Sequence, residues 1–429
     1  MTYLLVQPSV VSGTISLPPS KSHTMRALLF AAMAVGQSTI KNVLASPDTD
    51  AMVRALSLLG AQVIREGCSC QVQGVAGRPT VPDAVIDAGN SGQVLRFVAA
   101  FAALADGYSV FTGDASLRTR RTVQPLIDGL QQLGATAFST RANGFAPLVV
   151  GGGLQSGRCL IKDGADSQPI SALLMAAAYV SGVTEILVEN SGEIPWIDLT
   201  LMWLQKQGVS VQTENYHRYL VQGSPLKPSF TYEVPGDFSS AAFPLVAAAV
   251  TGSSLTLEGA DVKDVQGDKK VLDILKEMGV KIQMDETAIS LSSSGQLQGG
   301  DWDVSYLIDA VPILAVAGCF AAGRTRLYNA GMARNKESDR LASICKELKK
   351  MGACIEEYEE ELRIFPSSLA GAELDSHSDH RIAMALAVAG MNAKGTTRIN
   401  GTSCISKSYP NFVNEFRQLG VCIEEVAPV

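Results

Sequence analysis

Six times along this chain an amphipathic stretch ends in nearly the same phrase and is followed by an alternating one. The phrases are Leu59-Gly60-Ala61, Leu133-Gly134-Ala135, Gln207-Gly208-Val209, Met278-Gly279-Val280, Met351-Gly352-Ala353 and Leu419-Gly420-Val421. A period of roughly 70 residues is too long for a thin solenoid unit and fits a small βα module used repeatedly. Glycine suits each place because the residue after a helix often takes a left-handed conformation, which only Gly adopts without a Cβ penalty. Six modules imply one internally symmetric fold. Residues that break the repeat are therefore the candidates for chemistry.

Each module reads as strand, helix, strand, helix, then one or two strands. In the first, a short alternating strand at Thr14 precedes a helix over residues 20–36, a strand over 38–42 and a second helix over about 48–59. Asp48 or Thr49 is the expected N-cap of that second helix. The first helices of the other modules, at 94–104, 170–180, 241–250, 310–321 and 381–393, are rich in Ala and almost uncharged. Helices apolar around most of their circumference are buried. The second helices, such as 268–278 and 337–351, carry charge and should face solvent. The expectation is an α/β chain of six βαβαββ repeats, three per domain, with helices inside and sheets outside: a two-domain, inside-out α/β barrel. With 429 residues, 46% of them hydrophobic, the chain is long enough for two sizeable cores. The Pro- and Ser-rich stretch Gly223-Ser-Pro-Leu-Lys-Pro-Ser229 is the expected domain boundary.

A formal net charge of −7 argues against a nucleic-acid partner, which needs a net basic face. The eight cysteines are scattered without a C-x-x-C pair, as expected of reduced thiols. The amino terminus has no basic region followed by an apolar run. The longest apolar runs, 97–105 and 311–322, fall short of the roughly 18–20 residues a membrane span needs. A cytoplasmic protein without membrane contact is expected.

Polar residues gather at the starts of the buried helices, where packing alone does not require them. They include Ser20-Lys-Ser22 with Arg26, Asp87-Ala-Gly-Asn-Ser-Gly92 with Arg96, and Arg118-Thr-Arg-Arg121. Further along come Asp166-Ser-Gln168, Asp309 inside an apolar run, Lys336-Glu-Ser-Asp-Arg340, Asp379-His-Arg381 and Ser406-Lys-Ser408. A helix start bearing Lys, Ser and free amides is a natural anion site. A buried lone carboxylate such as Asp309 must pair or work. Two cations about 6 Å apart repel by roughly 3 kcal/mol at an effective dielectric near 20. Symmetry that brings these helix starts to one face would therefore favour a small, multiply charged substrate. Asp309 and Glu337 in that field have the character of proton-transfer groups.

Taken together, Ser20-Lys21-Ser22…Arg26, Asn90-Ser-Gly92…Arg96, Lys336-Glu-Ser-Asp-Arg340, Asp379-His-Arg381 and Lys407-Ser-Tyr-Pro410 resemble the EPSP synthase family of enolpyruvyl transferases, in the family's order and along the whole chain. The resemblance implies a domain of residues 20–228, a second of 1–19 plus 229–429, and an active site in the cleft between them. It implies transfer of the enolpyruvyl group of phosphoenolpyruvate to the 5-hydroxyl of shikimate 3-phosphate, without metal or organic cofactor, by a monomer. Lys21 would touch both substrates and serve in proton transfer, and Ser22 and Arg26 would hold the shikimate carboxylate. Ser167, Gln168 and Lys336 would lie on the shikimate 3-phosphate side. Gly92, Arg340, His380, Arg381, Lys407 and one of Arg120 and Arg121 would bind phosphoenolpyruvate. Asp309 would take the hydroxyl proton, and Glu337 would stand beside the reacting methylene.

The chain departs from the family pattern where Asp166 and Glu193 replace serines that usually meet the shikimate phosphate. Either those carboxylates turn away, or a neighbouring base compensates, or the acceptor differs. Gln93 and Phe97 also replace a Thr and a Pro, so inhibitor response does not follow from the resemblance. The sister enzyme acting on UDP-N-acetylglucosamine usually carries a reactive cysteine near residues 112–121, and no cysteine occurs between 70 and 159. A transferase with another acceptor and a non-catalytic anion-binding relative are the remaining alternatives.

Overall fold

Each of the six repeated glycines takes a positive φ, from +70° at Gly208 to +98° at Gly60. The turn each one makes releases the chain from an outer helix into a strand, the first of a hairpin in every repeat but the last. The computed structural model describes residues 2–427. It divides into two units that meet in sequence between Pro18 and Pro19 and again between Val234 and Pro235.

The contiguous unit, Pro19–Val234, carries α1 (Lys21–Met33), α2 (Pro47–Leu58), α3 (Ala99–Ala102), α4 (Ala115–Thr119), α5 (Gln124–Gln132), α6 (Ser167–Ala177) and α7 (Ile194–Lys206). A π turn, Val94–Val98, leads directly into α3. The other unit, the chain up to Pro18 with the chain from Pro235, carries α8 (Phe238–Thr251), α9 (Val271–Glu277), α10 (Val311–Cys319), α11 (Arg340–Lys350), α12 (His380–Met391) and α13 (Phe412–Gln418).

Three four-stranded sheets surround each set of helices, all on one plan. Tyr108–Thr112 pairs parallel with Ile86–Asp87 and antiparallel with Leu148–Gly151, which pairs in turn with Thr136–Ser139. The sheet around Gly182–Val188 repeats this order. Two sheets draw their parallel strand from far along the chain: Gln37–Lys41 takes Thr231–Glu233, and Ser254–Glu258 takes Gly13–Ser16. In the sixth sheet the strand Tyr3–Val6 lies between Thr397–Asn400 and Ile423–Val426, antiparallel to both.

The helices that open the repeats are buried along nearly their whole length. In α12 every residue from His380 to Met391 is buried, and in α10 every residue from Val311 to Cys319. Each unit has its own continuous apolar core built around such helices. Each large apolar side chain they remove from water contributes roughly 1.5–3 kcal/mol. Helix starts rich in polar groups are thereby fixed to a rigid interior.

Several boundaries differ from the sequence expectation. The second helix begins at Pro47, with the Ser46 hydroxyl accepting from the Thr49 amide at 3.2 Å, so neither Asp48 nor Thr49 is the cap. Proline is well placed at the first helical position, which moves the cap one residue upstream. α11 begins at Arg340 behind the cap Asp339, leaving Glu337 in the preceding loop. The stretch expected to be one helix over 268–278 is a 3-10 turn, Gly267–Lys270, followed by α9. No helix among the described residues is long and apolar enough to cross a membrane.

Candidate active site

In the unit Pro19–Val234 the expected residues cluster at the starts of α1, the π turn and α6. Lys21 Nζ lies 3.5 Å from Oδ2 of the buried Asp48. Ser22 Oγ accepts from Gln93 Nε2 at 3.2 Å. Arg26, one turn further on, is fully buried, and burial pulls its guanidinium below its ordinary pKa. Four of its five N–H groups meet protein acceptors: Thr200 Oγ1 twice, the Trp196 carbonyl and the Ser22 carbonyl.

The turn at Gly92 is closed on by three side chains. A β-carbon there would stand 2.6 Å from Arg96 Nη1, 3.0 Å from Gln168 Oε1 and 3.5 Å from Arg121 Nη1, so only glycine fits without shifting them. Arg96 donates to Gln168 Oε1 at 3.1 Å and pairs with Asp166 at 3.2 Å. Arg121 is buried and donates to the Asn90 carbonyl at 2.8 Å and to Ser116 Oγ at 2.7 Å. Arg120 is exposed. Of the two arginines, Arg121 is the one at the glycine turn.

The start of α6 is already occupied by carboxylates. Glu193 Oε2 accepts from both the amide and the hydroxyl of Ser167, at 3.2 Å each, and Asp166 Oδ1 accepts from the Gln168 amide at 2.9 Å. Glu193 does this from a left-handed backbone with φ of +47°, uncommon for a residue with a side chain.

In the other unit the candidate residues meet around Arg340. Asp309 sits in a 3-10 turn, Ile308–Ala310, just ahead of α10. Its carboxylate accepts from Arg340 Nη1 at 2.6 Å and from Arg381 Nη2 at 2.7 Å. Arg340 also donates to Glu337 Oε2 at 3.0 Å and to Asp379 Oδ2 at 2.8 Å, and Lys407 Nζ pairs with the second oxygen of Glu337. Asp379 caps α12 by accepting from the Arg381 amide at 2.9 Å. His380 lies beside it, Nδ1 3.7 Å from Oδ1 of Asp379.

These contacts set the charges. Burial alone would raise the Asp309 carboxyl, but Arg381, Arg340 and Lys336 outweigh it and hold the group far below the usual carboxylate range. Burial likewise opposes charge on Arg340, and Asp379, Asp309 and Glu337 reverse that, holding the guanidinium firmly protonated. Asp268, fully buried and accepting from Ser239 Oγ, is pushed the other way, by burial and then by Asp309.

The expectation that these cations repel unless a substrate lies among them is corrected here. Carboxylates interleave them: Asp309 bridges two arginines, Glu337 bridges Arg340 and Lys407, and Asp379 backs Arg340. The arrangement is a compensated ionic lattice, and an anionic ligand would enter it by exchange with these carboxylates. The sequence names Asp379 within a polar helix start and Asp48 as a cap, and assigns neither a role of its own in the site. An acid directly ahead of a buried helix was the available signal for Asp379. Nothing local distinguished Asp48 from an ordinary first-turn aspartate. Ser167, Gln168, Gly92 and Arg121 are brought together in one unit, and Asp309, Glu337, Arg340, Arg381 and Lys407 in the other.

A family model described as EPSP synthase (3-phosphoshikimate 1-carboxyvinyltransferase) matches residues 5–416. The chain is 43% identical over 420 residues to a 3-phosphoshikimate 1-carboxyvinyltransferase of Acetivibrio thermocellus, covering 98% of this chain and 99% of the relative. It is 42% identical over 423 residues to one of Methanocella arvoryzae, with the same coverage. Among solved structures, an EPSP synthase from Acinetobacter baumannii superimposes with a TM-score of 0.83 at 28% identity, covering the whole of both chains. The enolpyruvyl transferase NikO from Streptomyces tendae, at 17% identity, shares the fold with a TM-score of 0.80 and covers 100% of this chain and 99% of its own.

Proposed function

The chain belongs to the EPSP synthase (3-phosphoshikimate 1-carboxyvinyltransferase) family, and from that premise we propose that it joins the enolpyruvyl group of phosphoenolpyruvate to the 5-oxygen of shikimate 3-phosphate, releasing phosphate. The six repeats are read as an inside-out α/β barrel with three repeats in each domain. The domain starting near residue 20 takes the acceptor, and the one carrying Asp309 takes the donor.

The observation that carries the reading is the Asp309 carboxylate held between Arg340 and Arg381. In the addition step the hydroxyl oxygen bonds to C2 of phosphoenolpyruvate, the hydroxyl proton leaves to a base, and a proton arrives at C3. In the elimination step the C3 proton departs, the double bond re-forms and the C2–O bond to phosphate breaks. Asp309 is the base for the hydroxyl, and Glu337 with Lys21 moves the C3 proton. Clamped by two guanidiniums, Asp309 is a very weak base. Anionic groups of the donor drawing on Arg340, Arg381 and Lys407 loosen that clamp and raise its basicity only when substrate is bound. Arg121, Gly92 and His380 complete the donor side. Lys21, Ser22, Arg26, Ser167, Gln168 and Lys336 serve the acceptor. The enzyme works as a monomer.

Phosphate release on mixing the enzyme with phosphoenolpyruvate and shikimate 3-phosphate tests this directly. Absence of release with that pair would end it. A second reading, an enolpyruvyl transferase with another acceptor, rests on Glu193 occupying the Ser167 amide and hydroxyl. Release with unphosphorylated shikimate but not with its 3-phosphate would favour it.

A further inference from the structure

Behind the donor-side cluster lies a carboxylate the reaction does not use. Glu347, on α11, is fully buried. It stands seven residues, about two helical turns, beyond Arg340 and therefore on the same face of the helix. One of its oxygens accepts from the Asp375 amide at 3.0 Å and pairs with Lys350 at 2.6 Å. The other lies 3.0 Å from His377 Nε2.

What Glu347 holds is an unusual turn. His377 and Ser378 both have positive φ, +52° and +56°, consecutive left-handed conformations in residues that carry side chains. Such a pair persists only where its surroundings enforce it. The turn's inner bonds are those of Asp375 Oδ1 with the His377 amide at 2.6 Å and of Ser376 Oγ with the Ser378 amide at 3.1 Å. Ser376 Oγ also donates to the Gly401 carbonyl at 2.8 Å, just ahead of the 3-10 turn Thr402–Lys407. The residues delivered by the turn are Asp379, His380 and Arg381. One helix thus grips the segment at two points, through Arg340 on Asp379 and through Glu347 on Asp375 and His377.

We propose that Glu347 is a positioning residue for donor binding: it enforces the left-handed turn, and the turn sets where Asp379 and Arg381 stand relative to Arg340. The identity of the donor rests on the functional reading above, but the positioning role does not. Misplacement of the charged groups by a fraction of an ångström weakens binding of a multiply charged donor far more than that of the acceptor, most of whose contacts the functional reading places at Lys21, Ser22, Arg26, Ser167 and Gln168.

The test uses Glu347→Ala, Glu347→Gln and His377→Ala in the full chain, with two readouts. Hydrogen exchange of residues 376–381 should quicken in both alanine variants, while exchange in the interior of α12 stays as in wild type. In phosphate-release kinetics the KM for phosphoenolpyruvate should rise about tenfold in Glu347→Ala, with the KM for shikimate 3-phosphate within about twofold of wild type. Glu347→Gln, which keeps the shape and an acceptor for the Asp375 amide, should recover most of the loss. His377 is partly exposed, so its variant carries the test if Glu347→Ala does not fold. Unchanged exchange in the alanine variants that fold, or parallel rises in both KM values, would overturn the proposal. A wild type that releases no phosphate with this substrate pair counts against the functional reading alone, because exchange still decides the positioning role.

Discussion

Arg340 and Asp379 form an ion pair that neither partner shares with water: Nε stands 2.8 Å from Oδ2, and the side chains are 1% and 0% exposed. Removing one member of a buried pair strands the other's charge, at a cost of about 3–5 kcal/mol. Arg340 keeps Asp309 and Glu337 as partners, so Asp379→Asn should fall at the lower end of that range. Urea unfolding of wild type and variant measures it, and a loss below about 1 kcal/mol would mean that the other two carboxylates suffice.

Asp309 is where chemistry and electrostatics separate. If it is the base for the acceptor hydroxyl, Asp309→Ala should lower turnover by roughly 10²–10⁴-fold, the usual share of general-base catalysis. The same change frees Arg340 and Arg381 from a carboxylate that competes with the donor. The KM for phosphoenolpyruvate should therefore stay level or fall. A variant with wild-type turnover refutes the assignment. One that only raises KM recasts Asp309 as a binding group.

Asp268 predicts a pH dependence of stability with a definite sign. An unfolded aspartate titrates near 3.9, whereas in the folded chain burial, reinforced by Asp309, pushes this carboxyl up to about 7. Between those values the native state holds a proton that the unfolded state releases. Its contribution is fully present below the lower value and is lost as pH rises through the upper one. Asp309 is depressed and acts oppositely, contributing above its unfolded value and losing that contribution on acidification. Asp268→Asn should therefore flatten the decline of stability between about pH 4 and 7, by at most one proton or about 1.4 kcal/mol per pH unit. Chemical denaturation at pH 5 and pH 8 reads the difference directly. An unchanged pH slope would show that Asp268 is ionised throughout.

At the start of α6, Glu193 places a carboxylate on the two donors of Ser167. A phosphate brought to the same groups meets that charge. Two like unit charges 5 Å apart at an effective dielectric of 20 repel by roughly 3 kcal/mol. Glu193→Gln should lower the KM for shikimate 3-phosphate by about tenfold, well within that limit, and leave the KM for phosphoenolpyruvate unchanged. No change in either would place the acceptor's phosphate away from Ser167.

Much of the architecture is readable in residues whose constraints are local. The six glycines announce their left-handed turns because the alternative residues carry a Cβ, and the Ala-rich helices announce burial because they offer no polar face. Caps were harder. Ser46 displaces Asp48 through the influence of Pro47, and Asp339 takes the cap that leaves Glu337 in a loop. Side-chain pairings were not readable at all. Arg381 meets Asp309 across 72 positions, Arg26 meets Thr200 across 174, and Glu347 meets His377 across 30. No local pattern distinguishes an arginine aimed at a ligand from one satisfied by a distant aspartate. That is why the cations looked uncompensated in the sequence and are interleaved with carboxylates in the fold.

The strand Tyr3–Val6, wedged between Thr397–Asn400 and Ile423–Val426, imposes an order on synthesis. The span Pro19–Val234 leaves the ribosome with all its strands in hand and can close at once. The strand Tyr3–Val6 has no neighbours to join until residues 397–426 have emerged. Until then it is an unpaired apolar ribbon. Deleting it would bare one edge of Thr397–Asn400 and leave Ile423–Val426 without its sheet partner, so the loss of four residues would be felt about 400 positions away.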